Sequence, residues 1–177
     1  MRMSFRRALF AQGGIPPVPA SWAAHAVVAS TGSWSPTVAG WYQFCVIGQG
    51  GNGGSGDRRY STSSLLVNRA AGGGGGGTGG VAVHQLYLTP SNSVSITVGD
   101  SQTTLSFDGQ TVTATAGSNG GNGAASASSP GAGGAGGTAS GGNVSNIDGS
   151  QGGNGGFNSS GSSTSSLSAQ GGAGGTP

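Results

Sequence analysis

The sequence predicts an all-β chain with a large irregular part built from glycine. Three observations carry this. Several short segments have the length and apolar pattern of strands. Glycine supplies 41 of 177 residues, and most of it is gathered into runs. No segment has a convincing helical period, Ser4 to Gln12 being the nearest to one.

The strands read as follows. Val27 to Ser30 is a weak candidate. Trp41 to Ile47 is apolar on both faces, as a strand buried on both sides would be. Val81 to Leu88 is a third segment, and Ser93 to Val98 alternates, with Val94, Ile96 and Val98 on one face. Thr89-Pro90-Ser91-Asn92 is a turn between these two. Leu105 to Phe107 and Thr111 to Thr115 flank Asp108-Gly109, a strong hairpin-turn pair.

The glycine runs lie at 48–56, 72–80, 117–123, 131–137, 152–156 and 171–175. Their recurring unit is Gly-Gly-X, with X small. A period of three fits the left-handed extended helix, which rises about 3.1 Å per residue, so nine residues span about 28 Å. One edge of such a run carries X and two carry only hydrogens, which lets backbones approach closely. Ordering a residue costs about 1–2 kcal/mol, and a net hydrogen bond returns about 0.5–1.5 kcal/mol. A single run therefore stays disordered, whereas several stacked runs can hold one another.

Composition excludes several classes. Only 6% of residues are charged, against roughly 25% in an average domain. All six bases are arginine, and there is neither lysine nor glutamate. A phosphate-binding P-loop needs its lysine. A net charge of +2 is too small for nucleic-acid binding by a basic face, so no nucleic-acid partner is expected. No apolar run is long enough to span a membrane, so no membrane insertion is expected. The apolar stretch Ala8 to Ala11 is too short for a signal peptide, so synthesis in the cytoplasm is expected.

The order of motifs is itself informative. Ser33-Trp34-Ser35-Pro36 leads to Ala39-Gly40 and the Trp41 to Ile47 strand, which ends in glycines. The 72–80 run, Val81 to Leu88, Thr89-Pro90 and Ile96-Thr97-Val98-Gly99 follow. After them come Leu105-Ser106-Phe107, Val112 to Gly117 and further glycine runs. Over about residues 31–175 this resembles the glycine-rich domain of bacteriophage tail fibres and adhesins. The resemblance implies a small antiparallel β-sandwich over 31–116, then a bundle of polyglycine II helices over 117–177. It implies a non-enzymatic virion protein of a tail fibre, tail tip or other surface appendage, oligomeric in the assembly.

In some tail-tip adhesins, loops between glycine runs contact the bacterial receptor. The corresponding loops here are Asp57 to Arg69 and Phe157 to Gln170. Their receptor-contact candidates are Arg58, Arg59, Tyr60, Phe157 and Asn158. Residues 1–30 read as an attachment arm and linker to other virion proteins. Phe5, Arg6, Arg7, Leu9 and Phe10 form the docking cluster, and Pro16-Pro17-Val18-Pro19 forms the extended linker. Alternatives are a capsid decoration or head fibre, an ice-binding protein of polyglycine type, and a glycine-rich matrix protein.

Other chemistry is weaker. Gly48-Gln49-Gly50-Gly51-Asn52-Gly53 spells G-x-G-x-x-G after a strand, but no helix follows to hold a pyrophosphate, so no cofactor is expected. Gly53 to Asp57 resembles one calcium-binding repeat but does not recur. His25, His84 and Cys45 are too scattered for a zinc site, so no metal is expected. His84 reads as a hydrogen-bonded structural histidine and Cys45 as a buried, inert thiol. No paired carboxylates or nucleophile–base spacing points to catalysis.

Overall fold

In a computed structural model, residues 15–19, 28–60, 68–160 and 168–176 are described. They form antiparallel β-sheets, with no helix among them. The strands are β1 (Gly32–Trp34), β2 (Gly40–Ile47), β3 (Asp57–Arg59), β4 (Asn68–Ala71), β5 (Val81–Leu88) and β6 (Val94–Val98). They continue with β7 (Gln102–Phe107), β8 (Gln110–Thr115), β9 (Ala139–Ser140), β10 (Ser145–Ile147) and β11 (Phe157–Ser160). A main sheet has the order β1-β6-β7-β8-β9, a middle sheet β10-β5-β2, and an end sheet β11-β4-β3.

Alternation sets the core. Val94 and Ile96 of β6, Leu105 of β7, and Val112 and Ala114 of β8 turn one face of the main sheet inward. They meet Val46 of β2 and Ala82 and Leu88 of β5 in one cluster. Trp34 of β1 packs edge-on against Tyr42 and Phe44 of β2, with ring centroids 5.1 and 5.7 Å apart. The largest fully buried side chains are only Leu88, Val94, Val112 and Asn68. Burying such aliphatic side chains stabilises by about 1.5–3 kcal/mol each, so the apolar core is small for the chain.

The β7–β8 hairpin turns at Asp108 and Gly109, with φ of 47° and 74°. Positive φ at both central residues defines the turn type whose twist matches the strands. The Thr89–Asn92 turn closes through the Asn92 N–H, which donates to the Thr89 carbonyl at 2.9 Å.

Three expectations need correction. Trp41 to Ile47 forms β2 but is buried on one face only: Ile47 is 57% exposed. Among the described residues the middle sheet has the main sheet against one side alone, and Cys45 and Ile47 of the outward row are exposed. Residues 28–30 form no strand, and the first strand starts at Gly32. The segments 57–59, 68–69 and 157–160, expected in loops, belong to strands β3, β4 and β11 of the end sheet. Their backbones find antiparallel partners across the molecule that sequence order does not show. Ser4 to Gln12 lies outside the described residues.

Between the strands run the glycine segments: run I (48–56), run II (72–80), run III (115–123), run IV (131–138), run V (149–156) and run VI (170–175). They bond to one another at every third residue. The amides of Gly48, Gly51 and Gly54 donate to the carbonyls of Gly80, Gly77 and Gly74 at 2.9, 2.8 and 2.7 Å. Those of Gly74, Gly77 and Gly80 donate to Gly121, Ser118 and Thr115. Those of Gly131, Gly134 and Gly137 donate to Gly72, Gly75 and Thr78. Run II therefore lies among runs I, III, IV, V and VI. Its six consecutive glycines have a physical cause: a Cβ on any one of Gly72 to Gly77 would collide with the backbone of a neighbouring run.

The X residues are more than spacers. Asn119 and Asn122 accept from the amides of Asn52 and Ser55 through Oδ1, both at 2.8 Å. Asn154 Oδ1 accepts from Gly133 at 2.8 Å, and Thr78 Oγ1 from Ser150 at 2.7 Å.

Candidate functional site

Runs I, II and V each leave a strand of one sheet and enter a strand of another. Run I links β2 to β3, run II links β4 to β5, and run V links β10 to β11. The order β10-β5-β2 in the middle sheet is repeated as β11-β4-β3 in the end sheet. The run hydrogen bonds carry one sheet's order across to the other. The two segments that sequence places 100 residues apart, 57–60 and 157–160, thereby flank the same central strand.

Register fixes which candidates meet. Arg58 lies opposite Ala70, and Ala70 opposite Asn158. Arg59 lies opposite Arg69, and Arg69 opposite Ser159. Asp57 and Phe157 both lie opposite Ala71. Successive side chains alternate between faces. Arg58, Tyr60 and Asn158 therefore share one face, and Arg59, Arg69 and Phe157 share the other. The end sheet unites the two candidate segments but divides their residues between two surfaces.

On the first face the Arg58 guanidinium donates to the Tyr60 hydroxyl, and its carbon stands 5.5 Å from the Tyr60 ring centroid. Tyr60 is 59% exposed. Asn158 Nδ2 donates to the Ser168 carbonyl at 3.3 Å. On the second face Arg59 and Arg69 are cross-strand neighbours, an unfavourable like-charge pairing. Arg69 reaches the Ser126 carbonyl at 3.5 Å. The one nearby carboxylate, Asp57, accepts from the amide of Ala125 at 2.9 Å and fastens the 124–129 turn to β3. Among the described residues no ion pair engages Arg58, Arg59 or Arg69. Two residues beyond the sequence candidates thus belong to this end: Arg69, which completes the arginine cluster, and Asp57, which holds the neighbouring turn through the Ala125 amide. Alternation across 57–60 was the signal available for the face each residue takes.

Phe5, Arg6, Arg7, Leu9 and Phe10 lie outside the described residues. The linker after them touches the middle sheet: Trp41 Nε1 donates to the Pro16 carbonyl. Trp41 also stacks edge-on with Tyr87 at 5.8 Å. His84 is buried, and its Nδ1 lies 3.0 Å from the Gly141 carbonyl, which matches a structural histidine. Cys45 is exposed, which corrects the expectation of a buried thiol. It sits on the outward row of β2, opposite Val83. Among the described residues no three potential ligands gather as a metal cluster, and no helix is long and apolar enough to cross a membrane.

Searches against family models, curated proteins and solved structures find no match for this chain.

Proposed function

We propose that this chain is a non-enzymatic structural protein of a phage virion, from a tail fibre, tail tip or similar appendage. The observation that carries the reading is the set of three glycine runs joining the middle sheet to the end sheet. With three residues per turn they act as polyglycine II spacers about 28 Å long, and a β-sandwich forms the base. They hold Arg58, Tyr60 and Asn158 on one face, and Arg59, Arg69 and Phe157 on the other, away from the core. A rigid spacer ending in exposed arginine and aromatic groups suits contact with a bacterial surface receptor, since such side chains dominate binding energy at interfaces. The N-terminal arm then joins the chain to other virion proteins in an oligomeric assembly. No cofactor takes part.

The first test is mass spectrometry of purified virions separated into heads and tails. Recovery in the tail fraction is expected. Recovery with heads alone makes the protein a capsid decoration or head fibre, and absence from particles rejects the virion reading. Adsorption assays then separate the two faces. The pairs Arg58→Ala with Tyr60→Ala, and Arg59→Ala with Arg69→Ala, are each made in the virion. At least a tenfold loss of adsorption is expected from one pair. Wild-type adsorption by both pairs would reject the end sheet as the receptor surface.

A further inference from the structure

The hydrogen bonds of run II divide by its three-residue repeat. The amides of Gly72, Gly75 and Thr78 donate to run V, and those of Gly74, Gly77 and Gly80 to run III. The carbonyls of Gly72, Gly75 and Thr78 accept from run IV, those of Gly73 and Gly76 from run VI, and those of Gly74, Gly77 and Gly80 from run I. Five neighbour positions are thus filled. The third amide set, Gly73, Gly76 and Gly79, donates to no described residue. Gly73 and Gly76 are nonetheless buried, and Gly79 is half-buried. Backbone amides on residues this far inside a fold are paired almost without exception.

Three residues per repeat send successive amides out about 120° apart. With two sets directed at runs V and III, the third faces the one remaining position, between runs I and VI. Runs I and III, III and IV, IV and V, and V and VI are bonded to each other, but I and VI are not. Between them lies an open groove of about 470 Å³, with Gly76 and Gly79 on its floor. The carbonyls of Gly48 and Gly51 on one wall, and of Gly172 and Gly175 on the other, accept from no described residue.

A separate observation concerns the walls. Over most of the runs, glycine is required because a Cβ would collide with a neighbouring backbone. Gly50, Gly53, Gly171 and Gly174 differ: a Cβ there meets nothing closer than 3.6 Å. The packing of this chain does not require glycine at these exposed positions. A further chain lying in the groove would.

We propose that the groove is a docking site for an extended, glycine-rich segment of a partner protein, which becomes the sixth neighbour of run II. Its carbonyls accept from Gly73, Gly76 and Gly79, and its amides donate to the walls. The floor amides recur about every 9 Å, the repeat of a three-residue helix. A β-strand presents carbonyls on one side about every 6.8 Å and falls out of register. The partner therefore carries Gly-Gly-X units, with X on its open edge. A second copy of this chain is a poor occupant, because the outer edges of its own runs carry Asn52 and Ser55, Ala132 and Ala135, or Ala173, while its bare Gly50, Gly53 and Gly174 line its own groove. The proposal rests on the hydrogen-bond register and is independent of the virion reading.

A tethered probe tests it. Exposed Cys45 lies two residues before Ile47, which lines one end of the groove. A peptide of three Gly-Gly-Ser units on a flexible linker is joined to Cys45 by a disulfide, which supplies an effective concentration of order millimolar. Amide exchange is read by NMR on the full labelled chain, with Cys45 capped by a small thiol as reference. In the capped chain Gly76 and Gly79 are expected to exchange faster than Gly75 and Gly77. The probe is expected to slow Gly76 and Gly79 at least tenfold, and a probe of Val-Val-Ser units to leave them unchanged. Gly174→Val, or Gly50→Val should the first not fold, is expected to abolish the slowing while Gly75 and Gly77 stay protected. Unchanged exchange with the Gly-Gly-Ser probe overturns the proposal, as does equal slowing by the valine probe. Protection that rises with protein concentration alongside a dimer, with no probe present, also overturns it by making a second copy the occupant.

Discussion

Glycine in this chain answers to different demands at different positions. At Gly74 a Cβ would strike the backbone of Ala132, and both runs are held by hydrogen bonds that resist a shift. Gly74→Ala is expected to destabilise by about 1–3 kcal/mol, in the range of core overpacking. At Gly174 nothing lies within 4 Å and φ is not positive. Gly174→Ala is expected to be neutral or to stabilise by about 0.4–1 kcal/mol, because it restricts the unfolded chain. Denaturant midpoints of the two variants measure the contrast, and equal effects would mean the runs do not pack as described. Asn119 represents the X residues. Its Oδ1 accepts the Asn52 amide, so Asn119→Ala is expected to cost about 0.5–1.5 kcal/mol. Asn119→Asp keeps an acceptor and is expected to recover most of that loss in the same assay.

At the level of elements, the hairpin and the runs depend on different physics. The β7–β8 hairpin needs positive φ at Asp108 and Gly109. Aspartate tolerates that region, whereas alanine does so at a cost of about 1–2 kcal/mol. Gly109→Ala has open space around its Cβ, so the whole loss, read from the thermal midpoint, is backbone strain. The runs have ordinary backbone angles and no such strain. Their order comes from neighbours, and each contributes little alone. The end sheet shows the same dependence. Its strands are three or four residues long, too short to persist without the runs that deliver them.

Across the whole molecule, runs I, II and V tie the end sheet to the middle sheet, and the middle sheet shares its core with the main sheet. No unit among these has a large apolar core of its own. Unfolding is therefore expected to be one cooperative transition. Tryptophan fluorescence, which includes Trp34 against the core and Trp41 on the outer face of the middle sheet, should coincide with loss of amide protection in the runs. Separate midpoints would show that the glycine part melts independently. The display role proposed for the end sheet needs this coupling, because a spacer that melted alone would not hold Arg58 and Phe157 in place.

The sequence alone determined part of the local structure. Alternation in Val94 to Val98, the Asp108-Gly109 pair and the strand Val81 to Leu88 are set by side-chain period and turn chemistry, which act over a few residues. It also determined that the glycine runs repeat by three. The tertiary structure alone decided which run lies beside which, because a bare backbone carries no side-chain label for its partner. It decided that 57–60 and 157–160 flank one strand, and that Arg59 and Arg58 face opposite ways. It also decided that Cys45 is exposed: an apolar run shows that a strand can be covered, while only the layers present determine how many of its faces are.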